Sequence, residues 1–595
     1  MHRFLRLETT TLFAVGLILV VAVATYAGWH LMLFMTDDAH IEFRYVSNWI
    51  AGRGLVWNPP PFAPVEGYTS FAWCILLGIV WRLTGVAPPE SSPWLSLAFG
   101  YVTLYFGARL LLRLVPRGSL HRLVLLALVY VATLTNRTFL AWLSSGLETS
   151  MFNCCITWWL VEATTEKSGR DTAWVLRLSL GTALLTLTRP DGLLFLVFTL
   201  AGVALHLRQS GAGIRAFAAA SILLVPIAHL VWRRAFYGLW LPTTYFAKSD
   251  SWPAAGVRYA SSFALEYAYW LPPAIAIILW WKCRRDRSAL HPGTRRPHDR
   301  WLEARRRGPW NLDAAQFGAI ALLILHAGYY VLIGGDHFEY RVFSHLPLLI
   351  AVVMAWMAHR WSGNRGVSCG LMGGFILLSW PIGWVHWYAT RNLTEYSLKI
   401  VQPIAPLFPA VLRPIVGVWD REQAWLISHV ICCRRIEHKL FFEHQVGMYP
   451  TREEGGKVSW EGRPVHASRT VGLLGWVVPN IAIIDYLGLN DRVVSRHKTN
   501  RQPGAIREIA HDRVPPVGYV DCFQPNVGFE DRKVYVMPRR EPLRDRQIVE
   551  CERREWSRVA SDLAYEAIRF RQREIEFDRW RQVSRDSSAN PTRDR

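Results

Sequence analysis

Apolar residues in this chain come in long blocks. From about residue 10 to 390 they form runs such as 10–34, 93–112, 147–162, 191–207, 216–232, 264–281, 315–334, 343–358 and 369–388. Runs of roughly 17–23 residues have the length at which a helix crosses the hydrocarbon core of a bilayer. After about 391 the pattern turns mixed, charged and turn-rich. It predicts an all-α polytopic membrane domain over 1–390, with about 11–13 transmembrane helices, and a water-facing mixed α/β domain over 391–595. Within the latter, 466–497 alternates apolar and polar runs around Trp476 and Pro479, which predicts strands and turns, and Asp485, Gly488 and Asp491 mark a loop. Segment 545–583 has the periodicity of one amphipathic helix, and the last dozen residues are polar enough to stay unfolded. The first run is too long for a signal-peptide core and reads as an anchor.

Composition sharpens this division. The 595 residues are 51% hydrophobic, yet Lys and Arg number 67 and Asp and Glu 46, for a formal net charge of +21. Charge and apolar character must therefore be segregated along the chain. The basic N-terminus and the ten Lys/Arg residues of loop 282–307 assign those segments to the inside. Segments 35–68, 136–148, the Arg189–Gly192 corner, 238–255 and 334–341, with the C-terminal domain, then face outside. One conflict stands: Arg109, Arg113, Arg117 and Arg122 belong inside, yet counting puts them outside if 69–85 crosses fully. Either 69–85 is re-entrant or the helix count is off by one.

Cysteine spacing adds little. Cys74, Cys154, Cys155, Cys283 and Cys369 lie in or beside apolar runs as small hydrophobes, while Cys432, Cys433, Cys522 and Cys551 fall where an oxidising compartment permits a bridge. The chain has no zinc spacing, P-loop, GxGxxG or internal repeat, and no nucleic-acid partner is expected.

The outer corners carry charge where a bilayer disfavours it. In MTDDAHIEFRY, Thr36 is suited to cap a helix with Asp37 and Asp38 in its first turn. On that helix Asp37, His40 and Arg44 share one face, and Asp38, Glu42 and Tyr45 share the next. A cap needs one acidic residue, not this constellation. Glu66 leads back to the membrane, SSGLET places Glu148 at the start of an apolar run, and TLTRPDG places Arg189 and Asp191 around a turn. FYGLWLPTTYFAK ends on Lys248, and GGDHFEYR carries Asp336 and Arg341 between two spans. Each corner alone could be an ordinary polar turn. Together they predict one shared extracytoplasmic site, in which carboxylates activate a hydroxyl and cations hold a phosphate.

The ordered set DDAHIEFRYVSNWIAGRGLVWNP…VEGYTS, SGLET, TRPDG, YGLWLPTTYFAK and GGDHFEYR resembles the GT-C type integral-membrane glycosyltransferases. Nearest among them is the bacterial terminal arabinofuranosyltransferase and flagellar-motor-control group. VGLLGWVVPNIAIIDYLGLNDRVVSRH resembles that group's C-terminal signature, so the likeness covers about 35 to 530. It implies a multi-pass protein of the inner membrane, with its active site and C-terminal domain facing the periplasm or cell exterior. It also implies a polyprenyl-phosphate sugar as donor, arabinofuranose being one candidate, and a cell-envelope glycan or lipid as acceptor. Departures at His40, around Leu239 and in GGDHFEYR leave sugar and acceptor open. In this reading Asp37 or Asp38 is the general base, and the other orients the hydroxyl or holds a divalent cation. Arg44, Arg189, Lys248 and Arg341 are the candidates for the donor phosphate, with Tyr45, Glu66, Glu148, Asp191 and Asp336 as further substrate-binding residues. Two alternatives remain open: a non-catalytic assembly or motor-control factor, and a transporter, whose ionisable residues would lie mid-helix.

Overall fold

The computed structural model describes residues 2–115, 120–211, 213–248, 251–288, 314–362, 364–397, 399–497 and 506–589. Most of the basic loop assigned to the inside, from 289 on, lies outside the described residues.

Seven helices of the described residues are long and apolar enough to cross a membrane: Thr11–Leu31, Pro88–Leu114, Pro190–Ser210, Ile214–Tyr237, Gln316–Ile333, Arg341–Arg360 and Arg365–Thr390. Leu120–Leu134, Thr149–Ala163, Thr172–Thr188 and Leu271–Ser288, shorter or less apolar, run among them, so the helices of spanning length and character number fewer than the 11–13 expected. The apolar run 264–281 is not one helix. Helix Pro253–Glu266 stops, Ala268 takes a left-handed φ of 53°, and the chain restarts at Leu271–Ser288 through Pro272 and Pro273, where proline suits a first turn but not a helix interior.

Segment 69–85 is settled by its neighbours. Helix Phe71–Thr84 is 14 residues long, about 21 Å at 1.5 Å per residue and too short for a core of about 30 Å. It runs beside helix Asp37–Ile50 from Ser70 against Glu42 to Gly78 against Trp49. Near its far end Trp81 packs on Trp476 of the C-terminal domain, ring centroids 5.7 Å apart. Both ends therefore stay at one level. Pro88–Leu114 then descends antiparallel to the first helix: Trp94 meets Trp29 at 4.7 Å, and the Tyr101 hydroxyl donates to the Ala22 carbonyl at 2.9 Å. Its last turn puts Arg113 against the Val161 carbonyl, at the opposite end of the bundle. Arg109 and Arg113 so share an end with the N-terminus, which removes the conflict for these two; Arg117 lies outside the described residues.

The C-terminal segment is mixed α/β. Strands β1 (Val465–Ser468) and β2 (Ala482–Asp485) pair in parallel, with Val465 opposite Ala482. Strands β3 (Val527–Glu530) and β4 (Lys533–Val536) form an antiparallel hairpin whose turn residues Asp531 and Arg532 both have positive φ, as the twist-compatible two-residue turn requires. Between β1 and β2 the expected strand-and-turn pattern around Trp476 is instead helix Gly472–Val477. The single amphipathic helix expected over 545–583 is two, Asp545–Arg553 and Leu563–Ala589. Asp562 restarts the second by accepting from the Ala564 and Tyr565 amides at 2.8 and 3.1 Å. The tail expected to stay unfolded is helical as far as Ala589, and its remainder lies outside the described residues. Cys522 and Cys551 form a disulfide, while Cys432 and Cys433 are buried and form no disulfide among the described residues.

Candidate functional site

Helix Asp37–Ile50 begins as its cap predicts. Thr36 has extended backbone, φ −102° and ψ 149°, and its hydroxyl accepts from the Ala39 amide, which satisfies one of the orphan donors of the first turn. The two faces read from the sequence then do different jobs.

One face clasps the C-terminal domain. Asp37 accepts from the Gly472 and Leu473 amides at 3.2 and 2.7 Å, capping a helix 435 residues away in sequence. Burial pushes its carboxyl up to about 7, against the pull of those two amides. His40 stacks on Phe442 at 5.1 Å. Arg44, 1% exposed, donates to the carbonyls of Trp57, Gly475, Val478 and Ile481 and to the Asn58 amide oxygen. Its guanidinium has no donor left for a phosphate. Tyr45 is also spent, donating to the Val65 carbonyl at 2.9 Å and accepting from the Gly67 amide at 2.8 Å. Glu66 is buried in an ion pair with Arg233 at 2.7 Å. None of Asp37, Arg44, Tyr45 and Glu66 lines the cavity described next. They hold its walls.

The other face looks into a cavity of about 210 Å³ on which all five charged corners converge. Asp38, Ile41 and Glu42 come from the first-loop helix, Glu148 from the second corner, Arg189 and Asp191 from the third, Lys248 from the fourth, and Asp336 and Arg341 from the fifth. Leu489, Ile509 and Ala510 of the C-terminal domain close one side. The carboxylates differ in what they already hold. Glu148 and Asp191 grip Arg189 at 2.8 and 3.1 Å, and Asp191 also meets His326 and the Tyr330 hydroxyl, each at 2.7 Å. Asp336 holds Arg341 at 2.8 Å. Asp38 has no hydrogen-bonding or ion-pair partner among the described residues and is half-buried. Lys248 likewise has no ion pair there; burial lowers its pKa against the pull of Asp38 and Asp336. His337, on the cavity rim, is kept neutral by burial and by its neighbours His511 and His438.

Glu42, Tyr68, Tyr245, Tyr330 and His337 are cavity residues that charge patterning did not single out as binding groups. Glu42 had a signal, its i, i+4 spacing from Asp38; the tyrosines look from sequence like any interfacial aromatic. Among the described residues no three of His, Cys, Asp and Glu gather as metal ligands. With both Asp37 oxygens bonded to backbone amides, the acidic pair offers a divalent cation one open carboxylate, Asp38.

No protein-family model matches the chain. Two curated relatives do, each named terminal beta-(1->2)-arabinofuranosyltransferase. That of Mycobacterium tuberculosis is 28% identical over 362 residues, 54% of this chain and 52% of the relative. That of Corynebacterium glutamicum is 28% identical over 361 residues, 55% of this chain and 48% of the relative. The chain thus spans about half the length of the curated relatives it matches. Their name is the one to which the ordered motifs point. Among solved structures, ArnT from Cupriavidus metallidurans bound to undecaprenyl phosphate is similar at a TM-score of 0.44 and 13% identity, over 80% of this chain and 86% of that one. The archaeal oligosaccharyltransferase AglB from Archaeoglobus fulgidus, in complex with an inhibitory peptide and a dolichol-phosphate, is similar at 0.32 and 12%, over 80% and 64%.

Proposed function

We propose that this relative of terminal arabinofuranosyltransferases is a membrane glycosyltransferase. It moves a sugar, arabinofuranose by analogy with the relatives' name, from a polyprenyl-phosphate donor to a cell-envelope glycan or lipid. The observation that carries this reading is the convergence of five separate corners on one cavity, in which the unpaired carboxylate of Asp38 faces the cations Arg189, Lys248 and Arg341. A transporter would place such groups mid-span. Here they sit at helix ends, under the C-terminal domain.

Asp38 is the base: it takes the proton of the acceptor hydroxyl as that oxygen bonds to the anomeric carbon and the bond from that carbon to the phosphate oxygen breaks. The departing phosphate carries the electron pair, and Lys248, free of ion pairs, is the cation best placed to meet it, with Arg189 and Arg341 held ready by their carboxylates. No step is routed through a divalent ion, because no three of His, Cys, Asp and Glu gather as metal ligands among the described residues. The site and C-terminal domain face the cell exterior or periplasm in this reading, which the Cys522–Cys551 disulfide supports, since such bonds persist in oxidising compartments.

The test is transfer by purified full-length protein from a panel of polyprenyl-phosphate sugars to envelope glycan acceptors. Turnover is expected with the arabinofuranose donor. No transfer from any donor, by protein that still melts cooperatively, overturns the reading in favour of a non-catalytic role.

A further inference from the structure

One cavity group is left without a task. Glu42 is 5% exposed, lies four residues after Asp38 on the same helix face, and lines the cavity beside Glu148. The Ser70 hydroxyl donates to its Oε1, whereas Oε2 is buried with no partner among the described residues. A buried acid oxygen without a partner is costly unless a bound molecule completes it. The proton position follows from the bonding: Oε1 already accepts, so a neutral Glu42 carries its proton on Oε2, the oxygen free to donate. Burial, then the charge of Glu148, raise the Glu42 pKa well above the carboxylate range, while Ser70, Arg341 and Arg189 oppose them. Cys74 is the remaining titratable neighbour.

We infer that Glu42 recognises a hydroxyl of the donor sugar, donating a hydrogen bond from Oε2 to that oxygen. This rests on the proposed glycosyl transfer and adds to it a residue that reads the sugar. The placement selects the donor over the acceptor. Glu148 beside Glu42 grips Arg189, one of the phosphate-facing cations, and the donor's sugar is joined directly to its phosphate. Asp38, less buried, is left for the acceptor. A carboxylic acid suits this task better than a carboxylate in the same place, which would repel both Glu148 and an approaching phosphate.

The experiment is kcat/KM for the purified full-length enzyme with single-deoxy analogues of its donor sugar. Wild type should lose about 10-fold to 100-fold on one analogue, the size of one buried hydrogen bond. Glu42→Ala should lose a similar factor on the full donor and no longer distinguish that analogue. Glu42→Gln retains a donor in its amide, so its loss should be smaller by roughly tenfold. Because the donating form is the protonated one, wild-type kcat/KM should also fall on the alkaline side, and that limb should be missing in Glu42→Gln. If Glu42→Ala is unfolded by its melt, the comparison of Glu42→Gln with wild type decides alone. A pH profile in Glu42→Gln identical to wild type, or an equal loss in folded Glu42→Ala and Glu42→Gln, overturns the inference and leaves glycosyl transfer standing. Absence of transfer by wild type takes both down.

Discussion

At the scale of single residues, adjacent aspartates of the same chemical type have opposite duties. Asp37 spends both oxygens on the Gly472 and Leu473 amides, and Asp38 spends none. Asp38→Asn keeps shape and removes the proposed base, so transfer should fall roughly 10²–10⁴-fold with the melt unchanged. Asp37→Asn should act on stability instead. Its folded pKa of about 7 stands above the ordinary 3.8, so Asp37 favours the fold at low pH and that contribution is lost as pH rises through about 7. Melts of Asp37→Asn against pH should therefore lack the decline that wild type shows between those values. If Asp37→Asn loses turnover as deeply as Asp38→Asn while melting normally, the division of labour is wrong. The cations can be sorted in the same assay: Lys248→Ala and Arg189→Ala should weaken donor binding at least tenfold, whereas Arg109→Ala, at the opposite end of the bundle, should not.

At the scale of elements, the first-loop helix joins two bodies. It lays one face on the C-terminal domain and the other on the cavity, so the domain's position and the base's position are mechanically linked. Arg44 is the centre of that joint. Truncating it removes five hydrogen bonds, to four buried carbonyls and the Asn58 oxygen, at a cost above about 3 kcal/mol, since hydrogen bonds to a charged group contribute about 1.5–3 each. Lysine keeps the charge but not the planar fork, so Arg44→Lys should rescue little. Limited proteolysis should release the C-terminal domain from Arg44→Ala well before the membrane helices are cut. Resistance equal to wild type would show that the clasp lies elsewhere.

At the scale of the whole molecule, the charged corners and the C-terminal domain gather at one end and the arginines of Pro88–Leu114 at the other. With a membrane-impermeant thiol reagent on intact cells, Ala63→Cys in the first loop and Glu395→Cys after the last span should label together, and Glu166→Cys, beyond the helix that starts from Glu148, should not. Labelling of Glu166→Cys from outside would reverse the orientation.

How much of this was legible beforehand follows from the range of the forces involved. Bilayer-length apolar runs, the Thr36 cap, the two faces of the helix after it and the charged corners are local consequences of composition and of 3.6-residue periodicity, and the sequence alone determined them. It also determined that Asp38 and Glu42 share a face. What local pattern could not decide is which charges would be consumed. Arg44 and Lys248 look alike along the chain, yet one is spent on carbonyls supplied by residues 475–481 and the other stays free in the cavity. The helix at Gly472–Val477 reads as strand and turn because its cap, Asp37, belongs to another part of the chain. Whether segment 69–85 crosses stays open along the chain until Trp476 and Arg452 are brought against Trp81. In each case the deciding partner is hundreds of residues away, and hydrogen bonding and burial act on whatever the fold brings near. Only the tertiary structure decided those.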